Sequence, residues 1–166
     1  MKRVAVTGLG VISPVGNDVP TFWNALCSGT CGIGPITKFD ATDYPVKLAA
    51  EVHDFDPRQY MEKLDILHSD VYTHFAMAAA CQAVADSGIA GTLDAERVGV
   101  YIGSGIGGIA TFMTEHSKLL NRGPRRVSPY FIPMMIPNMA SSMIAMRYHF
   151  HGPAMPMVTA CASGTN

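Results

Sequence analysis

The stretch Val158-Thr159-Ala160-Cys161-Ala162-Ser163-Gly164-Thr165-Asn166 organises the reading of this chain. An apolar run ends in a cysteine, and small residues follow at once. That order predicts a strand, a sharp turn and the first turn of a helix, with the thiol at the apex. A helix N-terminus presents unpaired N–H groups and a partial positive charge. Both favour thiolate, the form of cysteine that attacks a carbonyl carbon. Ala162, Ser163 and Gly164 are expected to leave room for a substrate. A cysteine in apolar surroundings is more often an inert packing residue. Its seat at a strand-to-helix junction makes Cys161 a candidate nucleophile.

Upstream, residues 155–160 form the strand that delivers Cys161, and residues 138–148, rich in Met and Ala, read as a helix. A Pro-rich stretch, 124–137, separates that helix from another signal over 109–120. Residues 98–102 are a continuous apolar run, as expected of a strand buried on both faces. The clearest helix covers 66–87. Ala76, Ala79, Ala80, Ala83 and Val84 fall at helical spacing there, and Gly88 ends the run. So many alanines predict close packing against a neighbour. Asp56-Pro57 starts a brief helical turn, residues 48–52 a short strand, and residues 29–47 read as loop. Asn17-Asp18 offers a helix cap with Pro20 in the first turn, and Ser28-Gly29 closes that helix. Residues 3–7 read as an apolar strand ending at Gly8-Leu9-Gly10. Strands alternate with helices, so the class is α/β with a largely parallel or mixed sheet. No linker or internal repeat divides residues 1–166.

Composition narrows the function classes. The chain has 166 residues, 48% hydrophobic and 15% charged, which suffices for one domain with a core. A net charge of −1 gives no electrostatic reason to expect nucleic-acid binding. No apolar run reaches the roughly 20 residues a membrane span needs. The N-terminal apolar stretch is too short for a signal peptide and is broken by Gly8 and Gly10. Cys27, Cys31, Cys81 and Cys161 show no framework spacing, so reduced thiols in the cytoplasm are expected. Cys27 and Cys31 lack the second pair a zinc site requires and read as buried or half-buried residues. His149 and His151 read as solvated or packing residues, so no metal is expected.

A second motif competes with the cysteine turn. Gly103-Ser104-Gly105-Ile106-Gly107-Gly108 fits G-x-G-x-x-G after a strand and before a helix, where a dinucleotide's pyrophosphate binds. The acidic residue expected about 20 positions later is missing, and Arg125 and Arg126 stand there instead. Nearly 100 residues also precede this strand, whereas the fingerprint usually opens its domain. The structural alternative is that these glycines permit close chain packing beside a pocket.

Taken together, these stretches resemble the β-ketoacyl-acyl-carrier-protein synthases of the elongating kind. The matching pieces run in family order along nearly the whole chain. They are Val4-Ala5-Val6-Thr7-Gly8-Leu9-Gly10-Val11-Ile12-Ser13-Pro14-Val15-Gly16, Ala85-Asp86-Ser87-Gly88, and Ile102 through the glycine motif. Gly123-Pro124-Arg125-Arg126-Val127-Ser128-Pro129, Pro137-Asn138-Met139, Gly152-Pro153 and Thr159-Ala160-Cys161-Ala162-Ser163-Gly164 follow. The resemblance implies the N-terminal half of a thiolase-like fold, layered α-β-α-β-α, and a homodimer. It implies that Cys161 takes an acyl chain as a thioester from an acyl carrier protein. Malonyl-carrier protein then loses CO₂ and its carbanion attacks that thioester. The backbone N–H of Cys161 becomes an oxyanion donor. No cofactor is implied, since phosphopantetheine arrives on the carrier. Ile106 is implied as an acyl-pocket residue and Phe131 as one reaching the partner subunit's pocket.

The chain departs from the family pattern twice. The family needs two histidines, which drive decarboxylation, and a lysine from its C-terminal half, and the six histidines here, at 53, 68, 74, 116, 149 and 151, match none of those motifs. Residues 1–166 are therefore expected to be incomplete just after the nucleophile, inactive alone and only partly ordered. Residues 62–70, usually strongly basic where they face an acidic carrier, carry Lys63 as their only fixed positive charge against three acids. Lys63, Arg125 and Arg126 remain the docking candidates, and a specialised lipid or polyketide-like pathway is implied. Two alternatives stand beside the condensing enzyme. One is a non-catalytic, chain-length-factor-like dimer partner, against which the retained cysteine argues. The other is a nucleotide-binding domain using Gly103 to Gly108.

Overall fold

The computed structural model describes residues 3–165; Lys2, half of the N-terminal basic pair, and Asn166 lie outside the described residues. Helix α1 spans Val19–Cys27. The Asp18 carboxylate accepts from the Thr21 N–H at 2.8 Å, and Pro20 occupies the first turn, where no N–H is needed. Ser28 caps its end and Gly29 turns left-handed at φ 70°.

The expected loop over 29–47 contains a strand, β1 (Gly34–Pro35), which pairs antiparallel with β2 (Leu48–Ala49). The strand expected over 48–52 stops at Ala49 because its continuation serves a side-chain clamp instead. The buried Glu51 carboxylate accepts from the Thr37 hydroxyl at 2.5 Å and from the Thr37 N–H at 3.2 Å. These bonds hold its carboxyl below the usual range.

The helix expected over 66–87 is two helices, α2 (Lys63–Leu67) and α3 (Val71–Ser87). The break has a local cause. The Ser69 hydroxyl donates back to the Asp65 carbonyl, and Asp70 leaves helical geometry to cap α3. Both residues bond their own backbone better than they extend a helix. Gly88 ends α3 at φ 64°. Behind the break, the buried His74 places Nε2 3.2 Å from the Ile66 carbonyl and 3.1 Å from the Ser69 hydroxyl. Burial pushes its pKa down, which keeps the ring neutral with Nε2 as donor.

Strand β3 (Val100–Gly103) pairs in parallel with β4 (Ala154–Met157), Val100 opposite Ala154 and Gly103 opposite Met157. Between them run α4 (Ile109–Arg122), a 3₁₀ turn at Pro124–Arg126, α5 (Phe131–Met135) and α6 (Met139–Tyr148). The Pro-rich stretch is thus largely ordered as turn and short helix. Pro133 is accommodated in the first turn of α5, where its missing N–H costs nothing.

The core lies where α3 and α6 pack together and α6 covers β3 and β4. Met61, Met77, Val100, Ile144 and Ala145 form its centre, and Ala78, Ala140 and Ser141 are fully enclosed. The small residues let the helix backbones approach closely, as the alanine content predicted.

Residues 3–7 are not a strand among the described residues. The N-terminal segment instead lies along α3. Leu9 N–H donates to Asp86 at 2.9 Å and Val11 N–H to the Gln82 side-chain oxygen at 3.0 Å. Gly8 and Gly10 sit against the backbones of Ala83 and Ala79, leaving no space for a Cβ. Their neighbours are bare: Val4 is 94% exposed. Tyr101 and Met155, paired across β3 and β4, are 57% and 50% exposed. Parallel sheets ordinarily have both faces covered.

Candidate active site

Strand β4 ends at Met157 rather than reaching residue 160, and Cys161 lies in a 3₁₀ turn, Ala160–Thr165, rather than at the start of an α-helix. The thiol is nonetheless exposed at the apex of the expected strand-to-helix junction. The backbone reverses at Ala160, which holds φ 50°. A non-glycine residue there is uncommon and costs about 1–2 kcal/mol.

Side-chain chemistry within the turn accounts for the shape. The Ser163 hydroxyl accepts from the Thr159 N–H at 2.9 Å and donates to the Ala160 carbonyl at 2.8 Å. Ser163 is therefore buried and fully engaged, and does not clear space for a substrate as its small size had implied. Gly164 does, since a Cβ there would meet nothing within 4 Å.

The glycine loop packs directly against this turn. A Cβ on Gly103 would stand 2.5 Å from the Ser163 carbonyl oxygen, and one on Gly105 would stand 3.7 Å from the Ala160 carbonyl. At its far end the loop meets α5. Gly108 N–H donates to the Met135 carbonyl at 2.9 Å, and Gly107, at φ 83°, abuts Met135 and Pro137. Three of the loop's N–H groups are spent inside the protein: beside that of Gly108, Ser104 N–H goes to the Met157 carbonyl at 3.1 Å and Gly107 N–H to the Ser104 hydroxyl at 3.0 Å. A pyrophosphate cradle needs such groups pointing outward. The geometry supports the packing reading of these glycines.

Three of the segments singled out in the sequence are thus contiguous: the Cys161 turn, the loop carrying Ile106, and the helix opened by Phe131. Ile106 is 67% exposed at the loop's tip. Phe131 is half-buried, its ring centroid 6.2 Å from that of Phe112 on α4.

Lys63 opens α2 on an exposed face, and Arg125 and Arg126 are exposed in the 3₁₀ turn after α4. His68, the C-cap of α2, stacks on Tyr130 with ring centroids 3.6 Å apart, tying α2 to the segment that follows the two arginines. Glu115, buried on α4, accepts from Lys118 at 2.5 Å and from the Ser128 N–H at 2.7 Å, which fixes the same segment from the other side. Those bonds draw its carboxyl below the usual range.

The remaining histidines do other work. His74 packs behind α2, His116 lies parallel to Phe112, and His151 pairs with Glu96 at 2.9 Å. His149 ends α6 in the left-handed region at φ 54°. Cys27 and Cys31 are exposed, contrary to the expectation that they pack inside, while Cys81 is half-buried. Among the described residues, no three His, Cys, Asp or Glu side chains gather as a metal site, and no helix is long and apolar enough to cross a membrane.

Ala160, and the clamping role of Ser163, escaped the sequence reading. The available signal was a serine two positions beyond a turn cysteine, since serine hydroxyls close turns by bonding to nearby backbone.

Residues 1–166 match the family model described as Beta-ketoacyl synthase, N-terminal domain. A protein of Coxiella burnetii named 3-oxoacyl-[acyl-carrier-protein] synthase 2 is 49% identical over 164 residues, 98% of this chain and 40% of that protein. A protein of the same name from Synechocystis sp. is 45% identical over 166 residues, 99% of this chain and again 40% of the relative. The chain thus spans about two-fifths of the length of these curated relatives. Among solved structures, one titled the ishigamide ketosynthase/chain length factor has a TM-score of 0.79 and 27% identity, covering 93% of this chain and 39% of that one. Another is a type II PKS acyl-carrier protein in complex with its ketosynthase bound to the hexaketide. It has a TM-score of 0.82 at 24% identity, over 99% of this chain and 44% of that chain, a likeness of fold.

Proposed function

The chain belongs to the β-ketoacyl synthase family, and from that premise we propose that it supplies the nucleophile half of a condensing acyltransferase, with Cys161 as the acyl acceptor. One observation carries the reading: the Cys161 thiol stands exposed at the apex of a turn whose backbone is fixed by Ser163 and by the glycine loop. A nucleophile held at a sharp, rigid turn presents its lone pair without reorganising at the moment of reaction.

In the proposed chemistry, the Cys161 thiolate attacks the carbonyl of an acyl thioester on the phosphopantetheine of an acyl carrier protein. The carrier's thiolate leaves and takes the proton that Cys161 gave up. Malonyl-carrier protein then loses its carboxylate as CO₂, and the electron pair left on its α-carbon forms the new carbon–carbon bond to the Cys161 acyl carbonyl. The carbon–sulfur bond breaks and the Cys161 thiolate returns. The Cys161 backbone N–H serves in this reading as one oxyanion donor, worth about 10²–10³ in rate for such a group. Ile106 and Phe131 line the acyl path, the latter across a homodimer interface. Lys63, Arg125 and Arg126 receive the carrier protein.

Decarboxylation is assigned to groups outside residues 1–166, since none of the six histidines matches the family's histidine motifs. Residues 1–166 alone are accordingly proposed to be inactive in condensation. The setting proposed is fatty-acid or related polyketide-like synthesis in the cytoplasm.

Alkylation tests the reading. Iodoacetamide or cerulenin is added at limiting dose and each cysteine's adduct is quantified by mass spectrometry. Cys161 is expected to label ahead of Cys27 and Cys31, which share its exposure and serve as internal references. Labelling of Cys161 no faster than theirs would sink the nucleophile assignment. It would move the balance to a non-condensing partner subunit, the reading that the likeness to a ketosynthase/chain length factor structure keeps in view.

A further inference from the structure

We propose that Ser163 is a positioning residue for Cys161: its hydroxyl clamps the Thr159 N–H and the Ala160 carbonyl, the peptide groups that flank Thr159 and Ala160, and holds Ala160 left-handed. This rests on the reading of Cys161 as nucleophile. The hydroxyl sits within a closed ring of bonds, accepting from Thr159 N–H at 2.9 Å and donating to the Ala160 carbonyl at 2.8 Å. It is buried, so water does not readily substitute for it.

The conformation it holds is one that alanine adopts only at a cost. At φ 50° the Ala160 Cβ crowds its own carbonyl, and the turn would relax towards the ordinary right-handed region without an opposing restraint. Such a relaxation swings the Cys161 N–H and Sγ together, because both are set by the peptide that Ala160 directs. Gly103 provides the floor beneath. Its missing Cβ lets the Ser163 backbone settle onto β3, so the clamp is referenced to the sheet and not merely to its own loop. The ring therefore converts a short apolar strand end into a fixed aim for one sulfur atom.

The test compares iodoacetamide labelling rates of Cys27, Cys31, Cys81 and Cys161 in the full-length protein and in three variants of it: Ser163→Ala, Ser163→Thr, and Ala160→Gly combined with Ser163→Ala. Ser163→Ala is expected to slow Cys161 about fivefold, the effect of losing one net hydrogen bond's worth of orientation. Cys27 and Cys31 keep their rates. Threonine retains the hydroxyl and restores the Cys161 rate. Glycine at 160 tolerates the left-handed turn unaided and restores it too. Hydrogen exchange at the Thr159 amide quickens in Ser163→Ala and recovers in Ser163→Thr.

An unchanged Cys161 rate in Ser163→Ala overturns the proposal, as does failure of both the threonine and the glycine variants to restore it. Faster labelling of half-buried Cys81 reports unfolding. In that event the Ser163→Thr and doubly substituted chains decide the matter, since a purely packing role predicts no recovery by glycine. The nucleophile reading fails separately, through a wild-type Cys161 no faster than Cys27. In that case the Thr159 exchange comparison still decides whether the clamp exists.

Discussion

One carboxylate oxygen of Asp70 receives both the N–H and the hydroxyl of Thr111, at 3.0 and 2.5 Å, across 41 residues of chain. The other oxygen caps α3 through the Tyr72 N–H at 3.3 Å. A single buried side chain therefore ties the start of α3 to the start of α4. It also stops the glycine loop, for a Cβ on Gly108 would stand 3.0 Å from that same carboxylate.

Asp70→Ala removes a cap and leaves the Thr111 donors buried without their acceptor. The combined loss is about 2 kcal/mol or more. Amide hydrogen exchange should show it as roughly 30-fold faster exchange at Tyr72 and Thr111, with little change in β1 and β2. Unaltered exchange at Thr111 would show that the carboxylate is not what joins the helices.

His74 makes the α2–α3 junction sensitive to acid. Its folded pKa lies below the ordinary value of 6.5, because burial disfavours the charged ring more than the nearby Asp70 carboxylate favours it. The unfolded chain therefore takes up the extra proton first as pH falls. Stability from this site is full above about pH 6.5 and declines as pH drops towards the lower folded value. Protease resistance of the α2–α3 segment, followed between pH 7.5 and 5, should fall in the wild type and vary less in His74→Gln.

Glu115 is shifted in the same direction, downward, and acts at lower pH. Its carboxylate is stabilised in the folded chain by the Lys118 side chain first and the Ser128 N–H next, below the usual 4.5. Its contribution is present above the unfolded value and is lost as pH falls through the lower folded one. Glu115→Ala should release residues 128–130 at neutral pH, seen as faster exchange at Ser128. The His68–Tyr130 stack should loosen with it, giving larger ring-proton shifts in NMR spectra.

Two glycines, Gly103 on β3 and Gly164 in the Cys161 turn, give a paired test of the site. Gly103→Ala forces a methyl into the Ser163 carbonyl and should cost about 1–3 kcal/mol, with loss of the preferential labelling of Cys161. Gly164→Ala meets open space at an ordinary φ and should leave stability within about 0.5 kcal/mol of wild type. Equal effects would mean that the β3 contact does not set the turn.

The parts of the fold governed by local periodicity followed from sequence: α1 with its Asp18 cap, α3 up to Gly88, α4, α6 and the β3–β4 pair. The failures share a cause. Residues 3–7 have strand-forming composition but are paired in no ladder among the described residues; the bonds to α3 begin just after them, where Asp86 and Gln82 accept from the N–H groups of Leu9 and Val11. At residues 68–70 the apolar period runs on while Ser69 and Asp70 turn to their own backbone. At Cys161 the position in the chain order was correct, and the conformation was not. A left-handed alanine is invisible to propensity and follows only from the Ser163 bonds. Resemblance singled out Cys161, Ile106 and Phe131 by role alone, and the contiguity of their segments rests on the glycine contacts.

The lone parallel ribbon of β3 and β4 has a practical consequence. Each strand keeps one margin of amide and carbonyl groups without a ladder partner among the described residues, beside side chains as open as Tyr101 and Met155. Such a margin is a template, and it accepts any extended polypeptide that arrives in phase. The concentration at which this chain is handled will thus decide how often a second copy arrives first, and self-recruitment into aggregates competes directly with any other strand for that margin.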